Sequence, residues 1–313
     1  MRAFIGIDTS CYTTSLAAVD ENGSLISFHR RLLPVNKGAR GLRQSEAVFL
    51  HLKQFPILYD CLMKDLSGYQ LSAVCVSSKP SGSESSYMPV FTVGLNFAKI
   101  ISSSLGIKLY ESNHQLGHFS AAQIGLDFNF ENFIGVHLSG GTTDFLKISG
   151  GRNVFKLASS NDLHAGQLID RIGVKIGLGF PSGAELEKMA KLGKSAALYK
   201  SSVFENFCSL SGIEARALND INGNTRTKED IACEVFDALS RTVLKQLSYV
   251  NKEKLPVLIT GGVASSELLR NMILERNSKR FNFDIFFGDK KYSGDNAAGI
   301  AVIGLNCFKE EFL

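Results

Sequence analysis

The stretch FIGIDTSCYTTSLAAVDENGSLISFHRR, residues 4–31, decides the fold of this chain. Apolar residues alternate with other residues at its start, and small polar residues follow at Thr9 and Ser10. A second apolar run then leads to the turn residues Glu21 to Gly23, and a third run follows. This pattern predicts three strands joined by a tight loop and a turn.

The same order returns in IGVHLSGGTTDFLKISGGRNVFKLA, residues 134–158. Superimposing the two stretches places Gly6 on Gly135, Ser10 on Ser139, and the pair Thr13-Thr14 on Thr142-Thr143. Two threonine-rich hairpins can match by chance, but the joint register of glycine, serine and threonine favours a duplication. A chain of 313 residues also exceeds a single core, so we expect two lobes. Their predicted bounds are 1–112 and 113–313, with a helical insertion at about 184–230.

The composition is that of a globular protein in a reducing compartment. Hydrophobic residues make up 44% of the chain and charged residues 20%, and the apolar runs are only as long as strands. The first of these runs leads directly into Asp8, which predicts a strand and not a signal peptide. The six cysteines are scattered without a CxxC pair, so we expect a cytoplasmic protein with no disulfides and no membrane contact. The net charge of +4 permits an RNA partner without arguing for one.

Three glycine-rich segments are suited to a nucleotide. The two loops of Gly, Ser and Thr let backbone N–H groups approach phosphate oxygens, and their hydroxyl groups add donors. A buried strand at Val257–Thr260 is followed by Gly261, Gly262 and a predicted helix, a junction that can hold adenosine or its phosphate. Each segment alone is also explained as a tight turn. Together they predict a nucleotide cleft between two lobes.

The segment NHQLGH, residues 113–118, places two of the six histidines four residues apart. Asn113 is a good N-cap for a helix, and on that helix His114 and His118 share one face. Asp295, before another predicted helix, is either an N-cap or a third metal ligand. The segment differs from the zinc-protease motif HExxH because Gln115 cannot act as a general base, which disfavours peptidase chemistry.

Six motifs in this order resemble the TsaD (glycoprotease-like) family over essentially the whole chain: GIDTSC, NHQLGH, LSGGTTDFL, LIDRIGVKIGLGFPSG, ITGGVASSELLR and DNAAGIA. The resemblance implies a duplicated actin-like, sugar-kinase-like (ASKHA) α/β fold. It also implies transfer of a threonylcarbamoyl group from threonylcarbamoyl-adenylate to N6 of adenosine 37 in tRNA. Such a protein would bind one divalent metal ion, iron or zinc, and an adenine nucleotide. Its partners would be tRNA and either a TsaB-like actin-fold protein or a second copy of itself.

The resemblance implies a set of site residues. The metal ligands would be His114, His118 and Asp295. Asp170 would bind the ribose hydroxyl groups. The substrate-binding residues would be His137, Leu138, Ser139, Gly140, Gly141, Asp170, Gly183 and Ser266. Gly261 and Gly262, identified above as a nucleotide-binding junction, complete the set.

The chain departs from the family near the expected reacting centre. Tyr12 and Thr13 stand where the family has an acidic pair. Thr142 stands for a histidine, Asp144 for a glutamine and Ser266 for an asparagine. These changes leave three hypotheses open. The chain is a transferase of this type, or a non-catalytic paralogue that binds nucleotide and metal. The third hypothesis is an ATP-hydrolysing or kinase-type member of the fold, in which Asp8 would organise magnesium.

Overall fold

The computed structural model describes residues 1–10, 12–34, 42–82, 86–292 and 297–312, and the chain divides into two compact units. The first unit comprises Met1–Asp127 and Lys291–Leu313, and the second comprises Phe128–Lys290. These bounds differ from the expected division after residue 112. The helix that carries the histidines and the C-terminal helix both pack with the first sheet.

The first unit opens with the predicted three antiparallel strands. Its elements before residue 127 are β1 Arg2–Asp8, β2 Thr13–Asp20, β3 Leu25–Leu32, α1 Gln44–Asp65, β4 Gln70–Lys79, α2 Phe91–Leu105, β5 Lys108–Asn113 and α3 His114–Ala122. The sheet order is β3-β2-β1-β4-β5, in which β4 pairs parallel to both β1 and β5. Helices must connect these parallel strands, and α1 and α2 precede β4 and β5 in the chain.

The second unit repeats this opening. Its elements are β6 Phe133–Leu138, β7 Thr143–Ser149, β8 Asn153–Ser160, α4 Ala165–Lys175, α5 Gly183–Ala190, β9 Ser202–Val203, β10 Phe207–Ser209, α6 Ser211–Gly223, α7 Lys228–Val250, β11 Val257–Thr260, α8 Glu267–Arg280 and β12 Ile285–Phe287. The sheet order is β12-β11-β6-β7-β8-β10-β9. Strands β6, β7 and β8 are antiparallel neighbours, as β1, β2 and β3 are, which agrees with the predicted duplication.

Two expectations for the second unit are wrong in part. The predicted helical insertion at 184–230 also contains β9 and β10, because β10 pairs parallel to β8 and extends the sheet. The helix expected directly after Gly262 begins only at Glu267. A 3-10 turn at Val263–Ser265 comes first.

Each unit has its own hydrophobic core. The larger core lies between the second sheet and helices α4 to α8, and includes Val136, Phe145 and Leu239. The core of the first unit includes Ile5, Phe55 and Val74, from one face of its sheet and helices α1 and α2. Among the described residues, no helix is long and apolar enough to cross a membrane.

The C-terminal helix α9, Ala298–Phe312, returns to the first unit and packs on β1, β4 and α3. Its contact with α3 is between backbones. A Cβ atom built on Gly299 would lie 2.0 Å from the carbonyl oxygen of Gly117 and 2.5 Å from the amide nitrogen of Ala121. Only glycine therefore lets α9 approach α3 this closely.

Replacing Gly299 by alanine tests this contact. The added methyl group meets backbone atoms that cannot rotate away, so the helices must separate. We expect Gly299→Ala to lower the free energy of unfolding by about 1–3 kcal/mol, measured by urea denaturation. The control is Gly212→Ala in α6, where nothing lies within 4 Å of the added atom. Equal stability of the two variants would contradict the close contact.

Candidate functional site

The predicted histidine pair lies at the start of α3. The side-chain oxygen of Asn113 accepts a hydrogen bond of 2.8 Å from the backbone N–H of Leu116, so Asn113 is the N-cap that the sequence predicts. This cap fixes His114 in the first helical turn and His118 one turn later. The two Nε2 atoms are 2.9 Å apart, and the ring planes are inclined by 73°. The side chains therefore converge through their Nε2 atoms.

Asp8, at the end of β1, holds the other side of His114. Its Oδ2 lies 2.8 Å from Nδ1 of His114. The Asp8 side chain is buried and also accepts hydrogen bonds from Ser10 and Ser77. Because an ionised carboxylate only accepts hydrogen bonds, we assign the proton to Nδ1 of His114.

The histidine pair fits a divalent metal ion. Imidazole nitrogens bind zinc at about 2.0–2.1 Å, so two such ligands of one ion lie about 2.9–3.4 Å apart at angles of about 90–110°. The observed Nε2 separation is within that range. The expected third ligand, Asp295, lies outside the described residues. Within the part of the chain that the structure describes, no cluster of three or more His, Cys, Asp or Glu residues has the arrangement of a metal site.

The loop between β6 and β7 is shaped by its own hydroxyl groups. Oγ of Ser139 lies 2.7 Å from Oγ1 of Thr142 and accepts hydrogen bonds from the amides of Gly141 and Thr142. The carbonyl oxygen of Ser139 accepts a bond of 3.0 Å from the amide of Gly166, which ties the start of α4 to the loop. The Ser139 hydroxyl thus serves mainly the loop's own geometry.

A cavity of about 420 Å³ in the second unit brings together five of the predicted binding residues. These are Gly140, Asp170, Gly183, Gly262 and Ser266. Apolar side chains, including those of Ile169, Val263 and Phe236, form part of the wall. A cavity with apolar walls and a few polar groups is typical of a site for a small ligand such as a nucleoside.

Three other predicted binding residues, Leu138, His137 and Gly261, are not among the residues that line this cavity. The Leu138 side chain is fully buried in the core, so only its backbone is available to a ligand. His137 is buried on β6, opposite Asp144 of β7. Gly261 has a φ of +105°, and an added Cβ would lie 2.3 Å from the Leu138 carbonyl oxygen. Glycine is therefore required there by the turn itself.

Asp170 combines a structural bond with a free acceptor position. Its Oδ1 accepts a hydrogen bond of 2.8 Å from the backbone N–H of Ser182, which holds the segment before α5 against α4. Its second oxygen, Oδ2, retains the capacity to accept hydrogen bonds from a ligand that enters the cavity. This is the capacity that binding a ribose hydroxyl requires.

Sequence reasoning missed two charged residues of the cavity, Glu187 and Lys290. Oε1 of Glu187 accepts a hydrogen bond of 2.9 Å from the amide of Leu268 in the first turn of α8. Hydrogen bonding and charge from Lys290, with a further contribution from Lys191, hold the pKa of Glu267 below its usual range. The spacing of Gly183 and Glu187, one helical turn apart, was the signal that could have identified Glu187.

Most residues at positions that depart from the family form hydrogen bonds or ion pairs within their own unit. The carbonyl oxygen of Tyr12 accepts a hydrogen bond of 2.7 Å from the amide of Leu33. Oγ of Ser266 accepts a bond of 3.2 Å from the amide of Leu269 and so caps α8. Asp144 forms an ion pair of 3.0 Å with Lys156.

Solved structures with the same fold include HypF, a dehydratase component and a glucokinase. HypF from T. kodakarensis matches 99% of this chain and 48% of its own, with a TM-score of 0.64 and 14% identity. Component A of (R)-2-hydroxyglutaryl-CoA dehydratase from Acidaminococcus fermentans matches 98% of this chain and 99% of its own, with a TM-score of 0.58 and 11% identity. A ROK family glucokinase from Streptomyces griseus has a TM-score of 0.51 and 13% identity, over 97% of this chain and 99% of its own. The protein therefore has the duplicated actin-like, sugar-kinase-like α/β fold, which confirms the expected fold class.

Comparison of sequences gives the family. Residues 37–302 match the family model described as TsaD, tRNA N6-adenosine threonylcarbamoyltransferase. A protein of that name from Thermosipho melanesiensis is 30% identical over 97% of this chain and 94% of its own. Another from Fervidobacterium nodosum is 28% identical over 97% of this chain and 93% of its own. The chain belongs to the TsaD family.

The cavity leads to a prediction for Asp170. In Asp170→Asn, Oδ1 can still accept from Ser182, but an amide donor replaces the free acceptor Oδ2. Because a hydrogen bond to a charged group contributes about 1.5–3 kcal/mol, we expect ATP affinity to fall by about tenfold or more. Isothermal titration calorimetry measures the change. Asp284→Asn makes the same replacement in the second unit at a residue that does not line the cavity, and an equal effect of both variants would contradict the role of Asp170.

Proposed function

We propose that this chain is a tRNA-modifying acyltransferase that uses threonylcarbamoyl-adenylate and modifies N6 of adenosine 37. The observation that carries this proposal is the cavity of the second unit, which combines the Asp170 carboxylate with glycine-lined walls in a chain of the TsaD family. A pocket of this kind suits the adenosine part of an adenylate. The relatives bear the name of the same transfer reaction.

The proposed reaction needs little covalent help from the protein. The N6 amine of adenosine attacks the carbamoyl carbonyl carbon, the bond from that carbon to the phosphate oxygen breaks, and AMP leaves with the electron pair. The amine then loses a proton. Because the mixed anhydride is already activated, the protein must mainly position it and stabilise developing charge.

In this proposal the residues of the cavity hold the donor. Asp170 accepts hydrogen bonds from the ribose through Oδ2, and Glu187 adds a second carboxylate at the wall. Gly140 and Gly262 allow the backbone to approach the ligand closely. His114 and His118 would hold a divalent iron or zinc ion, which when bound supplies Lewis-acid chemistry.

Two features bear on the other hypotheses. Tyr12 and Thr13 supply no carboxylate to the first loop, which favours a paralogue that binds nucleotide and metal without catalysis as the second candidate. The kinase-type hypothesis requires Asp8 to organise magnesium. Four hydrogen-bond contacts already engage the Asp8 carboxylate, which argues against that role.

The transfer is tested by incubating the purified protein with threonylcarbamoyl-adenylate and tRNA that lacks the modification. Mass spectrometry of the digested nucleosides should detect threonylcarbamoyl-adenosine, and His118→Ala should reduce its yield by at least about tenfold because a metal ligand is lost. His29→Ala is the control, since His29 instead bonds Asp65 on the surface. Adenylate binding without any modified nucleoside, with and without an actin-fold partner, would contradict the transferase proposal and support the non-catalytic paralogue.

We also propose that a TsaB-like, actin-fold partner binds the outer face of α1. Leu52 and Ile57 follow Phe49 by three and eight residues on the exposed side of α1, and the three side chains are each about half exposed, at 47%, 52% and 54%. Large apolar side chains grouped in this way are typical of a protein interface.

The tRNA partner would bind basic residues, for which the candidates are Arg30, Arg31, Lys37, Arg40 and Arg43. Lys37 and Arg40 lie outside the described residues. Free thiols such as Cys75 and Cys208 fit a cytoplasmic location.

The partner surface is tested with Leu52→Glu, which places a charge between Phe49 and Ile57 along the helix. We expect this variant to lose its association with the partner in light-scattering chromatography while its unfolding midpoint changes little. Phe155→Glu changes an equally exposed aromatic residue in the other unit and should retain association. Concentration-dependent dimers of the wild type alone, abolished by Leu52→Glu, would replace the actin-fold partner with a second copy of this chain.

A further inference from the structure

The Asp8 carboxylate is saturated with hydrogen bonds. Oδ1 accepts bonds of 2.6 Å from Oγ of Ser77 and 3.1 Å from the amide of Ser10. Oδ2 lies 3.2 Å from the Ser10 hydroxyl and 2.8 Å from Nδ1 of His114. A carboxylate has about four acceptor positions, so this set leaves Asp8 little capacity for a ligand of its own.

The burial of these groups makes their arrangement rigid. Asp8, Ser10 and Ser77 are each at most 1% exposed. A buried carboxylate that lost one of its donors would be costly, so each donor holds the carboxylate in one orientation. Asp8 comes from β1 and Ser77 from the neighbouring parallel strand β4, whose register is set by the sheet.

This arrangement determines the state of His114. The Asp8 carboxylate can only accept a hydrogen bond from Nδ1 of His114. Nδ1 therefore carries a proton, and the neutral ring has its lone pair on Nε2. That atom lies 2.9 Å from Nε2 of His118. A metal-binding histidine commonly donates its other N–H to a carboxylate, which fixes both the ring and the tautomer.

We propose that Asp8, held by Ser77, is the positioning residue that fixes His114 as a metal ligand through Nε2. This inference rests on the metal site of the proposed function. It assigns Asp8 the role of orienting a metal ligand, and not of binding the ion itself. Ser77 acts one step further away, by orienting the carboxylate. Asp8→Asn would allow an amide N–H to face Nδ1, which stabilises the tautomer whose Nε2 is protonated and unable to bind metal.

The test measures metal affinity without adenylate or tRNA. The full-length protein, stripped with a chelator, is titrated with Zn²⁺ and Co²⁺ against a chromophoric competitor. We expect one ion per chain in the wild type and a loss of affinity of about 10- to 100-fold in Asp8→Asn, the size found for residues that orient metal ligands. Asp8→Glu keeps an acceptor and should recover most of that loss. Ser77→Ala should weaken binding less than Asp8→Asn.

The controls separate positioning from a general structural role. Ser78→Ala changes the next residue of β4, whose hydroxyl bonds the Ser112 carbonyl instead, and should leave the affinity unchanged. Nitrogen chemical shifts of the imidazole rings should show Nδ1–H for His114 in the metal-free wild type and in Ser78→Ala. Circular dichroism and the urea unfolding midpoint report whether each variant is folded. If Asp8→Asn does not fold, Ser77→Ala and the wild-type ring spectrum still decide the matter.

Three results would overturn the inference: wild-type affinity in Asp8→Asn or Ser77→Ala, an Nε2–H tautomer in the wild type, or no metal binding by the wild type. The first two leave the transferase proposal intact, because nucleoside analysis judges that separately. The nucleoside assay can also fail while the wild type binds one metal ion and Asp8→Asn binds it more weakly. That combination would reject the transferase proposal and leave the role of Asp8 standing.

Discussion

Direct contact between backbones is the constraint on which the first unit depends. A Cβ on Gly6 would lie 2.2 Å from the carbonyl oxygen of Ala297, and one on Gly299 would lie 2.0 Å from that of Gly117. Helix α9 therefore lies directly on both β1 and α3. Since β1 ends at Asp8 and α3 begins at His114, the same close packing sets the distance between carboxylate and imidazole.

The candidate site uses its polar groups for structure as well as for ligands. Asp8 accepts from Ser10 in the loop after β1 and from Ser77 on β4, and Asp170 uses one oxygen to hold the Ser182 amide. The Ser139 hydroxyl shapes its own loop. Because these bonds are made before any ligand arrives, the remaining acceptors have fixed directions, and a ligand does not have to order them on binding.

The departures from the family lie in loops or at the starts of elements, where Thr13 begins β2 and Ser266 caps α8. Tyr12 and Thr13 lack the carboxylates of the family's first loop, and Ser266 still caps α8 although it replaces an asparagine. Asp144 is neutralised by Lys156 and so adds little net charge beside the second loop. These local changes affect the charge near the proposed reaction more than they affect the scaffold.

The sequence by itself determined the repeated three-stranded opening, the Asn113 cap, the strand at Val257–Thr260 and the family. Each of these depends on residues close together in the chain, where periodicity and capping chemistry are informative. Only the tertiary structure decided that Asp8 and Ser77 meet at His114, that Glu187 reaches α8, and that β9 and β10 extend the second sheet. These contacts join segments far apart in sequence, and several residue types could occupy either partner position. The return of α9 to the first unit is of the same kind, because an apolar helix face does not specify which sheet it covers.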